Sequence, residues 1–105
     1  MNIQFKKGVL ELCVLSLLYE NEKYGYELTS ILLEKINISD GTIYPLLRRL
    51  KQDGYVNTYI RESSEGPARK YYQLTELGKK TQIKLKEQWL DFIQSVDDII
   101  KGGSC

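Results

Sequence analysis

One stretch in the middle of the chain carries the side chains best suited to binding a charged ligand. Residues 39–50 read SDGTIYPLLRRL, and the apolar positions recur three and four apart. This spacing predicts a helix with one face in a core and a polar face pointing elsewhere. The polar face comprises Thr42, Tyr44, Arg48 and Arg49. Hydroxyls bond phosphates or base edges and arginine supplies positive charge, so the face is a candidate nucleic-acid surface. Taken alone, the stretch fits an ordinary packed helix with solvated arginines equally well.

The start of this helix favours an anion. Ser39 is a good N-cap, and the unpaired N–H groups that follow, Gly41 among them, carry partial positive charge toward a phosphate. Pro45 lies beyond the first turn, where it costs about 3 kcal/mol or more. A helix that restarts at Pro45 is the alternative. Because the apolar spacing runs across the proline, we predict one continuous helix, kinked at Pro45.

Two strand-like runs follow the polar helix, at residues 55–62 and 69–75, and the turn-rich segment SSEGPA joins them. In the first strand Val56, Thr58 and Ile60 are predicted to face inward. Arg69 and Lys70 begin the second strand, where they can neutralise phosphates or simply be solvated. Two helices, a polar third helix and a basic hairpin are the layout of a winged helix-turn-helix. The predicted fold class is therefore α+β, mainly α with a small β-hairpin.

Two apolar helices precede the polar one. Residues 7–19 are apolar on nearly every side, so we expect the domain core on one side and a partner subunit's last helix on the other. Residues 1–5 are a predicted loose lead-in. A second helix is predicted over residues 24–35, where Gly25 indicates close backbone approach to the neighbouring helix or a phosphate. Residues 37–38 are predicted to add a minor third strand to the hairpin of residues 55–75, which we call the wing.

The last predicted helix carries an uncovered apolar stripe. Thr75 caps it, Gly78 is tolerated in its first turn, and it runs to about Lys101, before Gly102 and Gly103. The stripe consists of Leu85, Trp89, Phe92, Ile93, Val96 and Ile99. No chain remains to cover it, so we predict a partner helix and a homodimer. Residues 1–75 then form the winged helix-turn-helix domain, and residues 76–105 form the dimerisation helix.

Composition excludes several classes of function. The 105 residues allow one domain, and 15 basic against 14 acidic residues give a net charge of only +1, which supports nucleic-acid binding weakly. The chain lacks histidine, and Cys13 and Cys105 are far apart, so no metal, cofactor or enzyme activity is predicted. The apolar run near the N-terminus is too short to span a bilayer and shows no signal-peptide cleavage site. We therefore expect a soluble, cytoplasmic protein.

Three blocks of sequence resemble the PadR transcriptional regulators: YGYEL from residue 24, GTIYPLLRRL from residue 41, and RKYYQLTELG from residue 69. The resemblance covers residues 5–100. It implies a dimeric bacterial repressor with an N-terminal winged helix and, in the small subfamily, a single C-terminal dimerisation helix. It also implies that Tyr24 contacts the DNA backbone, whereas the bare sequence favours a core position for this residue.

Trp89, the one tryptophan, has two interpretations. It is an adequate dimer-interface anchor with no further role. The resemblance implies a ligand-binding role, because some small PadR relatives sandwich planar aromatic compounds between two such tryptophans at the dimer centre. Lys86, one turn earlier, departs from a wholly apolar pore.

Two hypotheses follow. The first is a homodimeric, sequence-specific repressor that binds double-stranded DNA at a pseudo-palindromic operator. Its predicted DNA-binding residues are Tyr24, Ser39, Gly41, Thr42, Tyr44, Pro45, Arg48, Arg49, Arg69, Lys70 and Tyr71. The second is a winged-helix protein-interaction module without a DNA role, which the near-neutral charge keeps open.

Overall fold

The computed structural model describes residues 3–102, which form four helices and one three-stranded antiparallel sheet. In chain order the elements are α1 (Ile3–Glu20), β1 (Lys23–Tyr24), α2 (Gly25–Ile36), α3 (Asp40–Gln52), β2 (Val56–Arg61), β3 (Arg69–Leu74) and α4 (Glu76–Ile100). The predicted α+β class is confirmed. Helix α1 begins earlier than predicted, so the loose lead-in is wrong for residues 3–5. Residues 1–2, Gly103 and Cys105 lie outside the described residues.

The core lies between the first three helices and the inner face of the sheet. Its fully buried side chains are Val14, Leu15, Leu28, Leu32, Ile43, Leu47, Leu50 and Val56. Fully burying one such side chain contributes about 1.5–3 kcal/mol, which makes this cluster the main source of stability. Cys13 packs partly buried against the cluster, as the interpretation of a small core residue requires.

Helix α3 runs through Pro45 without interruption, as predicted. Ser39 occupies the N-cap position, where its carbonyl oxygen accepts hydrogen bonds from the N–H groups of Thr42 (3.0 Å) and Ile43 (3.3 Å). Its side chain makes no capping bond to the described backbone; the hydroxyl oxygen instead lies 3.5 Å from that of Thr42. The predicted kink at Pro45 stays a prediction.

The third strand lies elsewhere than predicted. It is β1, which pairs with β3 in the sheet order β1-β3-β2, and residues 37–38 form no strand. Asn37 adopts a left-handed conformation (φ 57°), and its N–H donates to the carbonyl oxygen of Leu33 at 3.0 Å, closing α2 as a C-cap. Ile38 is buried in the core. The link therefore turns the chain into α3.

The hairpin is buried only at its base. Val56 and Tyr72 are buried, whereas Ile60, predicted to face inward, is 61% exposed. Its register partner Lys70 is exposed as well. The end of the hairpin next to the turn therefore extends past the helices, and strand alternation cannot bury a residue there.

Helix α4 is anchored at its start and extends beyond the domain at its end. The Thr75 hydroxyl accepts from the Gly78 N–H (3.0 Å) and donates to the carbonyl oxygen of Gly54 (2.7 Å). A Cβ at Gly78 would overlap the carbonyl oxygen of Tyr55, so glycine is required there rather than merely tolerated. One turn later the Gln82 amide donates to the Ser16 hydroxyl of α1 at 3.1 Å. Within residues 3–102, no helix is both long and apolar enough to cross a membrane.

Candidate nucleic-acid interface

The two faces of α3 separate as the periodicity predicts. Ile43, Leu46, Leu47 and Leu50 are buried. Every candidate residue on the other face is exposed, namely Gly41, Thr42, Tyr44, Pro45, Arg48 and Arg49. Helix α3 therefore presents hydroxyl and guanidinium groups to solvent, while its apolar face is packed in the core.

The two arginines on this face differ in their surroundings. Arg49 forms ion pairs with Glu11 of α1 (3.6 Å) and with Asp53 (3.5 Å). Arg48 is exposed and makes no ion pair with the described side chains. A phosphate would have to displace two carboxylates to bind Arg49, whereas it could bind Arg48 without displacing one.

Tyr44 joins α3 to the start of α2. A Cβ at Gly25 would lie 3.3 Å from Tyr44 Cε1 and 3.6 Å from Tyr72 Cε1, so this glycine permits both rings to pack against the α2 backbone. The predicted close approach at Gly25 is thus to the neighbouring helix. Tyr44 stays 38% exposed and can still reach a ligand. Burial, and then Tyr44, raise the pKa of Tyr72, and Arg48 partly opposes the increase.

The outer face of the sheet carries a row of tyrosines. Tyr24, Tyr71 and Tyr59 are register partners across β1, β3 and β2, and adjacent ring centroids lie 5.6 Å apart. We call these three residues the tyrosine row. Tyr26 extends it, with its ring 6.3 Å from that of Tyr24. Tyr24 is half-buried on this outer face and is not a core residue, contrary to what the bare sequence favours.

Two basic side chains begin β3, Arg69 on the face of the tyrosine row and Lys70 on the opposite face. The Arg69 guanidinium lies 4.6 Å from the Tyr24 ring centroid, a cation–π distance. Lys70 is exposed, with its ammonium 6.0 Å from the Tyr72 ring centroid. Both predicted residues are therefore accessible to an anion.

Arg61 was missed as a candidate by sequence reasoning. Its guanidinium lies 4.2 Å from the Tyr71 ring centroid and donates to the Tyr59 hydroxyl at 2.8 Å and to Glu22 Oε1 at 2.8 Å. The Tyr59 hydroxyl also hydrogen-bonds the Glu22 carboxylate, and this bond is the main factor that raises the pKa of Tyr59. Strand alternation could have identified Arg61, because it lies two residues after Tyr59 and therefore on the same face of β2.

A separate apolar surface surrounds Trp89. Its ring lies 6.4 Å from that of Phe92, beside a recess of about 230 Å³ between α1 and α4. The recess is lined by Gly8, Val9, Leu12, Leu85, Gln88, Trp89 and Phe92. Lys86 does not line this recess. It lines a neighbouring groove together with Cys13 and Tyr19, and Trp89 lines both.

The predicted dimerisation stripe is unevenly covered. Leu85 packs against the core of its own chain, while Ile93 and Val96 are half-buried. Phe92 is 49% exposed and Ile99 is 77% exposed. Leu90, outside the predicted stripe, is exposed too. Among the side chains that the structure describes, no cluster of three or more acidic, cysteine or histidine residues could hold a metal.

A helical unit that packs beneath a three-stranded antiparallel sheet with an extended hairpin defines a winged-helix protein. The family model of the Transcriptional regulator PadR-like family matches residues 14–84. The chain belongs to this family of transcriptional regulators.

Solved structures and a curated relative agree with this assignment. A transcriptional regulator from Streptococcus is 40% identical, with a TM-score of 0.85, over 93% of this chain and 98% of the other. A PadR-like transcriptional regulator from Bacillus cereus is 37% identical, with a TM-score of 0.86, over 94% and 98%. The negative transcriptional regulator PadR of Bacillus subtilis is 28% identical over 89% of this chain and 51% of its own length. This chain thus spans about half of that relative.

Proposed function

We propose that this PadR-family chain is a homodimeric repressor that binds a specific double-stranded DNA operator through α3 and the wing. The observation that carries the proposal is the continuity of one polar surface. The exposed face of α3 meets the start of α2 where Tyr44 packs on Gly25, and the tyrosine row with Arg69 begins at the adjacent Tyr24. A major-groove helix flanked by phosphate-binding groups needs this arrangement.

Within this surface we assign different tasks to the two elements. Thr42, Tyr44 and Arg48 would face base edges, since they project from the exposed side of α3. Ser39, Gly41 and Pro45 would approach the nearest phosphates at the start of the helix. The wing residues Tyr24, Arg69, Lys70 and Tyr71 would lie along the backbone and supply affinity without sequence information.

The exposed end of α4 supports the dimer. Phe92 is 49% exposed and Ile99 is 77% exposed in the single chain, so both leave apolar surface in contact with solvent. A second copy would cover them and place two α3 helices in successive major grooves, about 34–36 Å apart. The operator would then be an imperfect palindrome.

Two further elements of the proposal are repression and its release. Repression is supported by the Bacillus subtilis relative, which is named a negative regulator. For release, a planar aromatic compound would bind the Trp89 recess, from which Lys86 is absent. Such a ligand would free DNA only by binding more tightly to a dimer whose two α3 helices are wrongly spaced. No catalytic step is part of this function.

The test is binding of the purified protein to DNA upstream of its own gene, with a scrambled competitor and a salt series. Arg48→Ala should weaken operator binding about 5- to 150-fold, since one good base contact contributes about 1–3 kcal/mol. Arg49→Ala should weaken it less, because its guanidinium is already paired. Lys84→Ala, which removes an exposed charge from α4, is the control.

Two results would change the assignment. Wild-type affinity in both arginine variants at fixed salt would remove these residues from the interface. A well-folded dimer that binds genomic fragments no more tightly than scrambled DNA would favour the protein-interaction module.

Quenching of Trp89 fluorescence by planar aromatics, together with loss of DNA binding, would identify the effector site.

A further inference from the structure

The contact between Glu22 and Arg61 is unusual among the charges of the wing. Arg61 leaves the end of β2, crosses the ring of Tyr71 in the central strand, and reaches Glu22, which precedes β1. Both side chains are accessible to solvent, with 51% of Arg61 and 36% of Glu22 exposed. The guanidinium is therefore at the surface, but its charge is balanced within the chain.

Arg69, its register partner across the hairpin, is in the opposite situation. The two residues pair directly in the antiparallel ladder and lie on the same outer face. Arg69 stacks on Tyr24 and makes no ion pair with the described side chains. One of two facing arginines is thus ready to receive an anion, and the other already holds a carboxylate.

We propose that Glu22 is an internal counter-ion that competes with DNA phosphate for Arg61, so that the wing exchanges a carboxylate for a phosphate when it binds DNA. This inference rests on the proposed DNA-binding function and adds Arg61 to its backbone contacts. It also assigns to Glu22 a role that lowers affinity for DNA.

The geometry supports an exchange that needs little rearrangement. Tyr71 lies against the guanidinium plane and the Tyr59 hydroxyl accepts one of its N–H groups, so both hold it in place whichever anion it meets. A phosphate offers the paired oxygens that a carboxylate offers, and arginine binds both with the same planar fork. Solvent-exposed ion pairs are weak, so the duplex can displace Glu22.

A purely structural interpretation makes different predictions. The ion pair between Glu22 and Arg61 also connects the two edges of the sheet, because Arg61 ends β2 and Glu22 precedes β1. If the pair only fastens the hairpin, Glu22→Gln should lower thermal stability and leave DNA affinity unchanged or weaker. If the carboxylate is exchanged for a phosphate, Glu22→Gln should instead raise the affinity for DNA.

The experiment compares Glu22→Gln with Glu62→Gln, each in the wild-type and in the Arg61→Ala background, on operator and scrambled DNA. Glu62 is exposed, adjoins Arg61 in sequence, and forms no ion pair within the described part of the chain. Glu22→Gln should tighten binding to both DNAs about two- to fivefold per protomer, the range that an exposed ion pair can supply. Arg61→Ala should weaken it and reduce the salt slope by about 0.9 per lost phosphate contact.

In the Arg61→Ala background the benefit of Glu22→Gln should fall to that of Glu62→Gln. An undiminished benefit there would overturn the exchange and reveal only general charge repulsion. Unchanged or weaker binding by Glu22→Gln, in a variant that melts as a folded protein, would also overturn it while DNA binding itself stands. No DNA binding by wild-type protein would overturn the proposed function and this inference together.

A second measurement does not depend on affinity. The side-chain N–H signals of Arg61 in an NMR spectrum should move when operator DNA is added, and Glu22→Gln should move them in free protein. If DNA leaves these signals in place, Arg61 keeps Glu22 in the complex, and the exchange is wrong.

Discussion

The winged part of the chain and the distal half of α4 carry similar helical apolar patterns but differ in what covers them. Leu15, Leu28 and Leu47 are completely inaccessible, because three helices and a sheet converge on them. Ile99 and Phe92 recur at equally regular spacing and remain exposed. Periodicity therefore shows that a face is suited to burial, while the number of neighbouring elements decides whether the chain itself can bury it.

The shape of the molecule explains the difference. With 25 residues, α4 is about 37 Å long at 1.5 Å per residue, and the side chains of its last three residues are exposed. The described chain extends over 61 × 28 × 21 Å, so it is elongated along one axis. The exposed apolar side chains lie on the distal half of α4, where burial by a second copy would contribute stability that the single chain lacks.

The largest expected effect concerns the covered region. Leu47→Ala should lower the free energy of unfolding by about 2–5 kcal/mol, since Leu47 is completely buried between α3 and the rest of the core. Urea denaturation followed by circular dichroism measures this change. The loss in kcal/mol should not depend on protein concentration.

Ile99→Ala is the matched variant in the uncovered region. It removes an apolar side chain of similar size from a position that is 77% exposed. Its effect should appear as weaker self-association in sedimentation and as a stability that depends on concentration. Equal destabilisation by both variants in dilute monomer would mean that the two regions are covered alike.

A smaller effect is expected where the two regions join. Gly78→Ala should destabilise the chain by about 1–3 kcal/mol, because the new methyl group would overlap the Tyr55 carbonyl. Gly8→Ala, whose Cβ would meet nothing within 4 Å, should instead gain up to about 1 kcal/mol of helix propensity. Thermal melts of both variants distinguish the cost of the steric overlap at residue 78 from the gain in helix propensity at residue 8. A stabilised Gly78→Ala would show that α4 can move away from Tyr55.

The elements that sequence predicted well are those set by local pattern. The continuous helix across Pro45 and the orientation of its faces follow from the spacing of Ile43, Leu47 and Leu50. The third strand could not be predicted from local pattern, because β1 has only two residues and forms by pairing with β3, far along the chain. Non-local pairing has no signature in a two-residue segment.

The same limit applies to the candidate site. Arg49 has a local partner in Asp53, four residues on, but its second partner, Glu11, lies on another helix and could not be predicted from the pattern. Arg61 and Glu22 lie 39 residues apart in sequence and meet because β3 alone separates β2 from β1, which Glu22 precedes. Sequence can identify residue types suited to DNA, but their existing partners depend on tertiary contacts.

The smallest expected effect tests how well the covered region excludes water. Burial raises the pKa of Tyr72, so its phenol ionises more readily in the unfolded chain than in the folded one. Its contribution to stability should be constant below the ordinary tyrosine pKa of about 10 and decrease as the pH rises above it. Tyr72→Phe should therefore lose less stability than wild type between neutral and alkaline pH, measured by urea denaturation in a Cys13→Ala background. That background removes the decline of the same sign that the raised pKa of the Cys13 thiol produces, and the decline from Tyr59 is common to both proteins. Parallel stability curves for the two proteins would show that water reaches the Tyr72 hydroxyl, and that the covered region ends short of the sheet.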